Sequence, residues 1–128
     1  MKKRGLLKKL KIAYFKSISD RRRYLRVPLR VKVTNKATEI FEYFLSTNIS
    51  IGGMFLKTET PYVVDTFVKL EFPLPGETRL ISVDGRVVRV VPPYTNSEHP
   101  PGMGVQFMFL SPEDKEAIEK FVKKSGTQ

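Results

Sequence analysis

Short segments in which apolar and polar residues alternate recur from Val27 to Phe109, and this period of two restricts the fold more than any other feature. The first of them, residues 27–34, alternates valine or leucine with proline, arginine, lysine or threonine. Such a segment is typical of a strand with one buried face and one exposed face. Because Pro28 cannot donate a backbone hydrogen bond, it places the start of this strand at a sheet edge. The chain is therefore predicted to be mainly β.

Turn-forming residues divide the pattern into about six strands. The predicted strands are residues 27–34, 40–47, 54–58, 66–72, 78–91 and 104–109. The first two are predicted to form a hairpin around the turn 35–38. The dipeptide Asp84-Gly85 is interpreted as a bulge or kink within the long fifth strand rather than as a hairpin turn. Residues 92–102 contain four prolines and are predicted to be a surface loop.

A helix is predicted to follow the last strand. Ser111 supplies a capping hydroxyl, Pro112 occupies the first helical position and two acids follow in the first turn. The helix is expected to end near Lys124, with an apolar stripe formed by Ile118, Phe121 and Val122. Six short strands and one terminal helix favour a small antiparallel barrel in a single domain.

The net positive charge of the chain comes entirely from its first 26 residues. Residues 1–26 hold 11 Lys and Arg against Asp20 alone, whereas residues 27–128 hold 12 basic and 12 acidic side chains. The segment ends in a cluster formed by Arg21, Arg22, Arg23 and Arg26. Several guanidinium groups close together can bind phosphate oxygens and the edge of a guanine in pairs of parallel hydrogen bonds, so the cluster indicates an anion-binding site.

Residues 3–18 have apolar side chains at helical spacing between lysines, which predicts a basic amphipathic helix. Three interpretations are open: the helix packs on the domain or on a second copy, lies on anionic lipid, or contacts nucleic-acid phosphates. Lysines interrupt the apolar stretch too early for a signal peptide, and no run reaches the length of a spanning helix. The sequence thus predicts a soluble, cytoplasmic protein that at most touches a membrane surface.

Catalysis and metal binding find little support in the sequence. The chain has no cysteine, its one histidine is His99 in the predicted loop, and its carboxylates are scattered singly. A serine nucleophile would lack a base, and neither a metal cage nor a carboxylate pair is indicated. Gly52-Gly53 is not followed by the lysine and helix of a phosphate-binding loop. We therefore expect a binding protein without a cofactor or metal, and not an enzyme.

A second polar motif is Asn48-Ile49-Ser50-Ile51-Gly52-Gly53. Asn48 and Ser50 alternate, so their side chains can point to the same side at the end of a strand. Gly53 permits a positive φ or the close approach of a ligand to the backbone. By itself the motif is also compatible with a side-chain-stabilised turn that binds nothing.

In this order and spacing, Arg22-x-x-x-Arg26 followed by Asn48-x-Ser50-x-x-Gly53 resembles the PilZ domain family of bacterial cyclic di-GMP receptors. The resemblance extends over roughly residues 20–124, leaving residues 1–19 as an arm and residues 125–128 as a tail. It implies a six-stranded antiparallel barrel with a C-terminal helix, as the strand pattern also predicts.

The resemblance also implies roles for individual residues. Arg22 and Arg26 would bind the phosphates and guanine edges of cyclic di-GMP, and Arg21 matches a position that often accompanies binding of a ligand dimer. Asn48 and Ser50 would hydrogen-bond a guanine that Gly52 and Gly53 allow to lie close. Arg23 and Arg89 are further candidates. Arg30 has the same spacing from Arg26 but lies inside a strand, and it is interpreted as outside the motif.

The predicted function is that of a cyclic di-GMP receptor that moves its N-terminal arm on binding and signals to a downstream protein partner. Two alternatives stay open. One is a PilZ protein that only interacts with partners, and the other is a binder of nucleic-acid backbones without sequence preference. The neutral body argues against the second, because it offers no basic groove.

Overall fold

The computed structural model of the protein describes residues 28–94 and 100–124. In these residues the chain forms six strands and then one helix: β1 (Leu29–Asn35), β2 (Phe41–Ile49), β3 (Gly53–Lys57), β4 (Phe67–Phe72), β5 (Ile81–Val91), β6 (Gly102–Phe107) and α1 (Pro112–Lys124). The strands pair antiparallel in a closed barrel of order β1-β2-β3-β6-β5-β4, with β4 paired to β1. The predicted mainly β fold, an antiparallel barrel with a C-terminal helix, is confirmed. The arm, residues 1–19, and the tail, residues 125–128, lie outside the described residues.

The alternating pattern fills the barrel as predicted. In β4, Val68, Leu70 and Phe72 are fully buried, while Phe67 and Lys69 face outward. In β1, Val31 and Val33 are likewise buried. The interior side chains of the six strands meet along the barrel axis, because every strand pairs on both sides.

The predicted hairpin turn between β1 and β2 is present. The Asn35 side-chain oxygen accepts hydrogen bonds from the backbone N–H groups of Ala37, at 2.9 Å, and of Thr38, at 3.3 Å. The Asn35 N–H in turn donates to the Ile40 carbonyl at 2.9 Å, which closes the hairpin. The Asn35 side chain thus accepts hydrogen bonds from two N–H groups of the turn that have no backbone partner there.

Several predicted strand limits are wrong: β3 begins at Gly53 rather than at Met54, β5 begins at Ile81 rather than at Thr78, and two further limits differ as follows. β2 does not end at Thr47 but continues to Ile49, because Asn48 and Ile49 pair with Phe55 and Met54 of β3. β6 begins at Gly102 rather than at Gly104, because Gly102 pairs with both Lys57 and Val91. The predicted loop therefore ends before Gly102.

The irregularity predicted at Asp84-Gly85 lies elsewhere. Gly85 belongs to the regular ladder, opposite Val68 and Phe107, and the register shift against β6 falls between Val87 and Arg89. A Cβ on Gly85 would lie 2.6 Å from the Val105 side chain. The glycine therefore makes room for packing inside the barrel and does not bend the strand.

Helix α1 begins as predicted. The Asp114 N–H donates to the Ser111 hydroxyl at 3.1 Å, and the Lys115 N–H donates to the Ser111 carbonyl at 2.9 Å. Ile118 is fully buried against the core, where Phe121 and Val122 pack at its margin. Arg79 lies 2.9 Å from the Asp114 carboxylate and so joins the helix to the loop before β5. In the described parts of the chain, no helix is long and apolar enough to cross a membrane.

Candidate ligand-binding site

A cavity of about 590 Å³ lies on the outer surface of the barrel, across β2, β3, β6 and β5. Its lining includes every site residue that the sequence predicts within the described ranges: Asn48, Ser50, Gly52, Gly53 and Arg89. These residues come from two segments more than 30 positions apart in the chain, and barrel closure brings them together. A cavity of this volume falls in the usual range for small-molecule sites.

The register aligns four residues in one row across the cavity. Asn48 of β2 is opposite Phe55 of β3, Phe55 is opposite Gly104 of β6, and Gly104 is opposite Arg89 of β5. Neighbouring strands lie roughly 4.8 Å apart, so the row spans about 14 Å from the backbone of Asn48 to the backbone of Arg89. The row places a polar amide at one end, a guanidinium at the other and an aromatic ring between them.

Glycines in β6 shape the floor of this row. Gly104 has no side chain, and Arg89 reaches across it until its guanidinium carbon is 5.5 Å from the centre of the Phe55 ring. A Cβ on Gly102 would lie 2.6 Å from the nearest ring carbon of Phe55 and would collide with the Leu56 carbonyl oxygen. The ring therefore occupies the space that a larger residue at position 102 would take.

The polar motif forms a tight turn at the edge of the cavity. The Ser50 N–H donates to the Gly53 carbonyl at 2.9 Å, and the Gly52 N–H donates to the Ser50 hydroxyl oxygen at 3.1 Å. The Gly52 carbonyl then accepts from the Phe107 N–H at 2.9 Å, which ties the turn to β6. Asn48 and Ser50 are both exposed, so the amide group and the serine O–H are accessible to a ligand.

The two glycines of the motif differ in what surrounds them. A Cβ on Gly53 would collide with the Val105 carbonyl oxygen, whereas a Cβ on Gly52 would meet only the Ser50 hydroxyl, at 3.7 Å. Neither glycine has a positive φ. Of the two properties that a glycine permits, Gly53 therefore uses the close approach and not the positive φ, and the group that approaches it is the backbone of β6.

The described lining of the cavity is positively charged. It contains Arg89 and Lys57 and no carboxylate. Neither cation has a carboxylate partner among residues 28–94 and 100–124, whereas neighbouring Arg86 lies 2.7 Å from Asp65. The cavity therefore favours an anion, since no carboxylate of the described residues neutralises its cations.

Sequence reasoning missed part of the lining. Phe55, Lys57, Gly104 and Gln106 also line the cavity. The alternation of β3 was a usable signal for Phe55, because Met54 and Leu56 on either side of it are buried. The other predicted residues, Arg21, Arg22, Arg23 and Arg26, lie outside the described residues, as does His99. Within the described ranges, no group of three or more histidine or carboxylate side chains is placed to hold a metal ion.

Comparisons with known proteins identify the same fold. The family model described as PilZ domain matches residues 20–124. No curated protein sequence matches the chain. The chain is similar to the solved structure of the Bacillus subtilis inhibitor of motility (MotI/DgrA), with a TM-score of 0.63, 18% identity, and coverage of 80% of this chain and 49% of that one. The present chain thus spans about half the length of that protein.

Two further solved structures are similar. One is the PilZ domain of CeSA from a cellulose-synthesizing bacterium, with a TM-score of 0.54, 18% identity, and coverage of 77% of this chain and 92% of that one. The other is the PilZ domain of YcgR from Escherichia coli with c-di-GMP, with a TM-score of 0.58, 16% identity, and coverage of 77% and 82%. At these identities the likeness concerns the fold.

Proposed function

Because the chain belongs to the PilZ domain family, as the match over residues 20–124 shows, we propose that it is a receptor for cyclic di-GMP and acts by binding rather than by catalysis. The observation that carries the proposal is the cavity row of Asn48, Phe55, Gly104 and Arg89, with Ser50 beside it. It combines hydrogen-bonding groups, an aromatic face and an unneutralised cation, which are the groups that a guanine nucleotide requires. The similar YcgR structure contains the same ligand.

Asn48 and Ser50 form hydrogen bonds with the edge of one guanine. The Asn48 oxygen accepts from the N–H groups of the base, and its NH₂ group donates to a base oxygen or nitrogen. The Ser50 hydroxyl already accepts from the Gly52 N–H, so its own O–H is the group left to donate to the ligand. Gly52, whose missing side chain would meet only the Ser50 hydroxyl, lets the base lie against the backbone of the turn, whereas Gly53 holds that turn against β6.

Arg89 and Phe55 hold the base from the barrel side. A guanidinium or an aromatic ring can stack on a purine, and such contacts are worth about 1–3 kcal/mol per base. The Arg89 charge also favours a phosphate, because no described carboxylate competes for it.

Arg22 and Arg26 bind the phosphates and a guanine edge, with Arg21 and Arg23 adding contacts. Chain connectivity supports this assignment. Leu29 pairs with Ser46, two residues before Asn48, and Arg26 precedes Leu29 by three residues. Three residues of fully extended chain span at most about 11 Å, so Arg26 is tethered close to the cavity, and Arg22, seven residues before Leu29, is tethered within about 25 Å of that residue.

Binding also changes the arrangement of the N-terminal arm and thereby signals to a downstream protein. The ligand carries two negative charges, and it neutralises arginines that repel one another in its absence. The neutralised cluster then holds the junction at residues 17–26 against the barrel, which shifts the population of arm positions. Hydrogen exchange of residues 1–20 should slow when cyclic di-GMP is added. Unchanged exchange at saturating ligand would reject the arm movement while leaving the receptor proposal intact.

Isothermal titration of the intact chain with cyclic di-GMP, beside GTP and cyclic di-AMP, tests the receptor proposal. We expect affinity in the micromolar range or tighter for cyclic di-GMP and none comparable for the adenine analogue. The variants Arg22→Ala and Arg26→Ala should lose binding, whereas Arg30→Ala is the matched control and should retain it. If the folded protein gives no binding, or if any polyanion binds equally with a steep salt dependence, the proposal fails.

A further inference from the structure

The outer face of β1 and β2 carries an apolar stripe bordered by cations, and it adjoins the ligand cavity at Lys57. We call it the β1–β2 face. Its residues are Arg30, Lys32, Phe41, Tyr43, Leu45 and, from β3, Lys57. They lie side by side because the register pairs Arg30 with Leu45, Lys32 with Tyr43 and Leu45 with Lys57.

The apolar side chains of this face are half exposed and lie next to one another. Phe41, Tyr43 and Leu45 each retain 51% of their accessible surface. An aromatic residue buries about 150–250 Å² when it is fully covered, so the three together expose roughly 300 Å². A contiguous apolar patch of that size on a small domain is often functional.

Two cations lie over the rings of the stripe. The Arg30 guanidinium carbon is 4.2 Å from the centre of the Tyr43 ring, and the Lys32 ammonium is 4.3 Å from the centre of the Phe41 ring. The two rings also meet edge to face, with centroids 6.1 Å apart at 86°. These contacts hold the side chains in a defined arrangement before any partner arrives, so their ordering on binding would cost little entropy.

The charge of the face defines its partner. None of its residues is acidic, and Lys32 forms a long ion pair with Glu71 of β4 at 4.0 Å. In the part of the chain that the structure describes, no carboxylate pairs with Arg30 or Lys57, whereas Lys36 has Asp84 at 2.9 Å and Arg79 has Asp114 at 2.9 Å. Covering unpaired cations with a neutral surface would remove their hydration without compensation, so an occupant must supply anions.

Charge and shape argue against the other candidate occupants. Residues 1–26 of this chain carry a net charge of +10 and would be repelled. A second copy would present the same cations in a two-fold interface. A lipid surface favours apolar side chains that project into it, whereas charged groups lie over the rings here, Lys32 over Phe41 and Arg30 over Tyr43.

We propose that the β1–β2 face docks an acidic segment of another protein that carries apolar side chains between its carboxylates. The carboxylates pair with Arg30, Lys32 and Lys57, and the apolar side chains cover Phe41, Tyr43 and Leu45. A cavity of about 330 Å³ lined by Arg30, Tyr43, Leu45 and Lys57 takes one apolar side chain of the segment. The docking does not require the cyclic dinucleotide site to be what we propose above.

Site-specific photo-crosslinking tests the docking in cells that produce the protein. A photoreactive phenylalanine analogue replaces Tyr43 in the full chain, and the same analogue replaces exposed Glu119 of α1 as the control. Mass spectrometry of the position-43 adduct should identify a peptide with an excess of Asp and Glu over Lys and Arg and with apolar residues among them. An adduct no stronger than the control, an adduct with this chain itself, or an adduct with lipid would overturn the proposal.

Charge reversal checks that the cations of the face carry the docking. The double variant Arg30→Glu and Lys32→Glu should reduce the position-43 adduct at least tenfold, whereas Lys115→Glu with Lys120→Glu on α1 should leave it unchanged. All four residues are at the surface. If the double variant Arg30→Glu and Lys32→Glu unfolds at a lower temperature than the wild type, the milder pair Arg30→Gln and Lys32→Gln takes its place. Cyclic di-GMP titration of the same variant should match the wild type, so failure of docking and failure of the receptor proposal are distinguishable. An undiminished adduct in the folded variant would contradict the inference.

Discussion

The guanidinium group of Arg89 lies over the ring of Phe55, 5.5 Å from its centre, although the strands that carry the two residues do not pair with each other. Only Gly104 lies between them. The contact gives the cavity a ready-made surface on which a planar base can stack, with a positive charge at its edge.

Removing either member of this contact should weaken cyclic di-GMP binding without unfolding the barrel. For Arg89→Ala we expect a loss of about 1–2 kcal/mol, or roughly 5- to 30-fold in affinity, because both a stacking group and a phosphate partner are removed. Phe55→Leu should have a smaller effect of the same sign. Titration calorimetry measures both. Arg86→Ala, on the same strand but paired with Asp65, is the matched control, and an equal loss in that variant would contradict the role given to Arg89.

The adjacent glycines of the motif should respond differently to the same substitution. Gly53→Ala places a methyl group against the Val105 carbonyl and should lower the free energy of unfolding by about 2–3 kcal/mol. Gly52→Ala meets only the Ser50 hydroxyl at 3.7 Å and should change stability by less than about 1 kcal/mol, in either direction.

Urea unfolding of both glycine variants provides the measurement. Gly52→Ala should keep the fold, so it also tests ligand binding separately from stability. Reduced cyclic di-GMP binding by this variant would indicate that the base lies close to the backbone at position 52. If the two substitutions lowered the free energy of unfolding equally, the close approach of the Val105 carbonyl would not be what excludes a side chain at Gly53.

The ion pair between Arg79 and Asp114 should stabilise the docking of α1. The Asp114 side chain is only 10% exposed, so Arg79→Ala leaves a largely buried carboxylate without its cation. Because Arg79 itself is about half exposed, we expect a loss of about 1–2 kcal/mol, measured by thermal unfolding. Glu113→Ala, whose carboxylate is 3.7 Å from Arg79 and 83% exposed, should be close to neutral. A larger effect of Glu113→Ala than of Arg79→Ala would refute this assignment.

Tyr62 should make stability fall at high pH. Burial, and to a lesser degree the charge and hydrogen bond of Glu42, raise the pKa of the Tyr62 phenol above its ordinary value near 10. At a pH between the unfolded and folded pKa values, the folded chain keeps a proton that the unfolded chain has released. The stabilisation is therefore complete below about pH 10 and is lost as the pH rises through the folded pKa.

The difference in phenolate absorbance between the wild type and Tyr62→Phe reports this titration. Glu42→Gln should lower the pKa of Tyr62 only in part, because burial is the larger cause. A Tyr62 phenol that titrates like a free tyrosine would show that Tyr62 is not buried in solution.

Local features of the fold could be predicted from the sequence because local physics determines them. The alternation at Val68, Leu70 and Phe72 predicted a buried face, and the Ser111 hydroxyl predicted the start of α1. The bulge or kink was predicted at the wrong position in β5 because the glycine there answers a contact that is distant in the sequence. Asp84-Gly85 looks like a local break, but the glycine is required by the Val105 side chain of a different strand.

The site could be predicted only in part for the same reason. Asn48 and Ser50 follow from one motif of six residues, whereas the row through Phe55, Gly104 and Arg89 depends on the register of four strands. Nothing in the local sequence of β5 states that position 89 faces position 55. Only the closed barrel supplies that relationship.

The glycines at the two ends of the β3–β6 ladder have a consequence for the engineering of new ligand preferences. Gly53 and Gly102 each face a carbonyl oxygen of the opposite strand so closely that no side chain fits. Positions 53 and 102 are therefore closed to variation, and randomising them would yield mostly destabilised chains. The ends of the row, Asn48 and Arg89, are exposed and free of such contacts, so a directed-evolution library aimed at a different nucleotide belongs on β2 and β5.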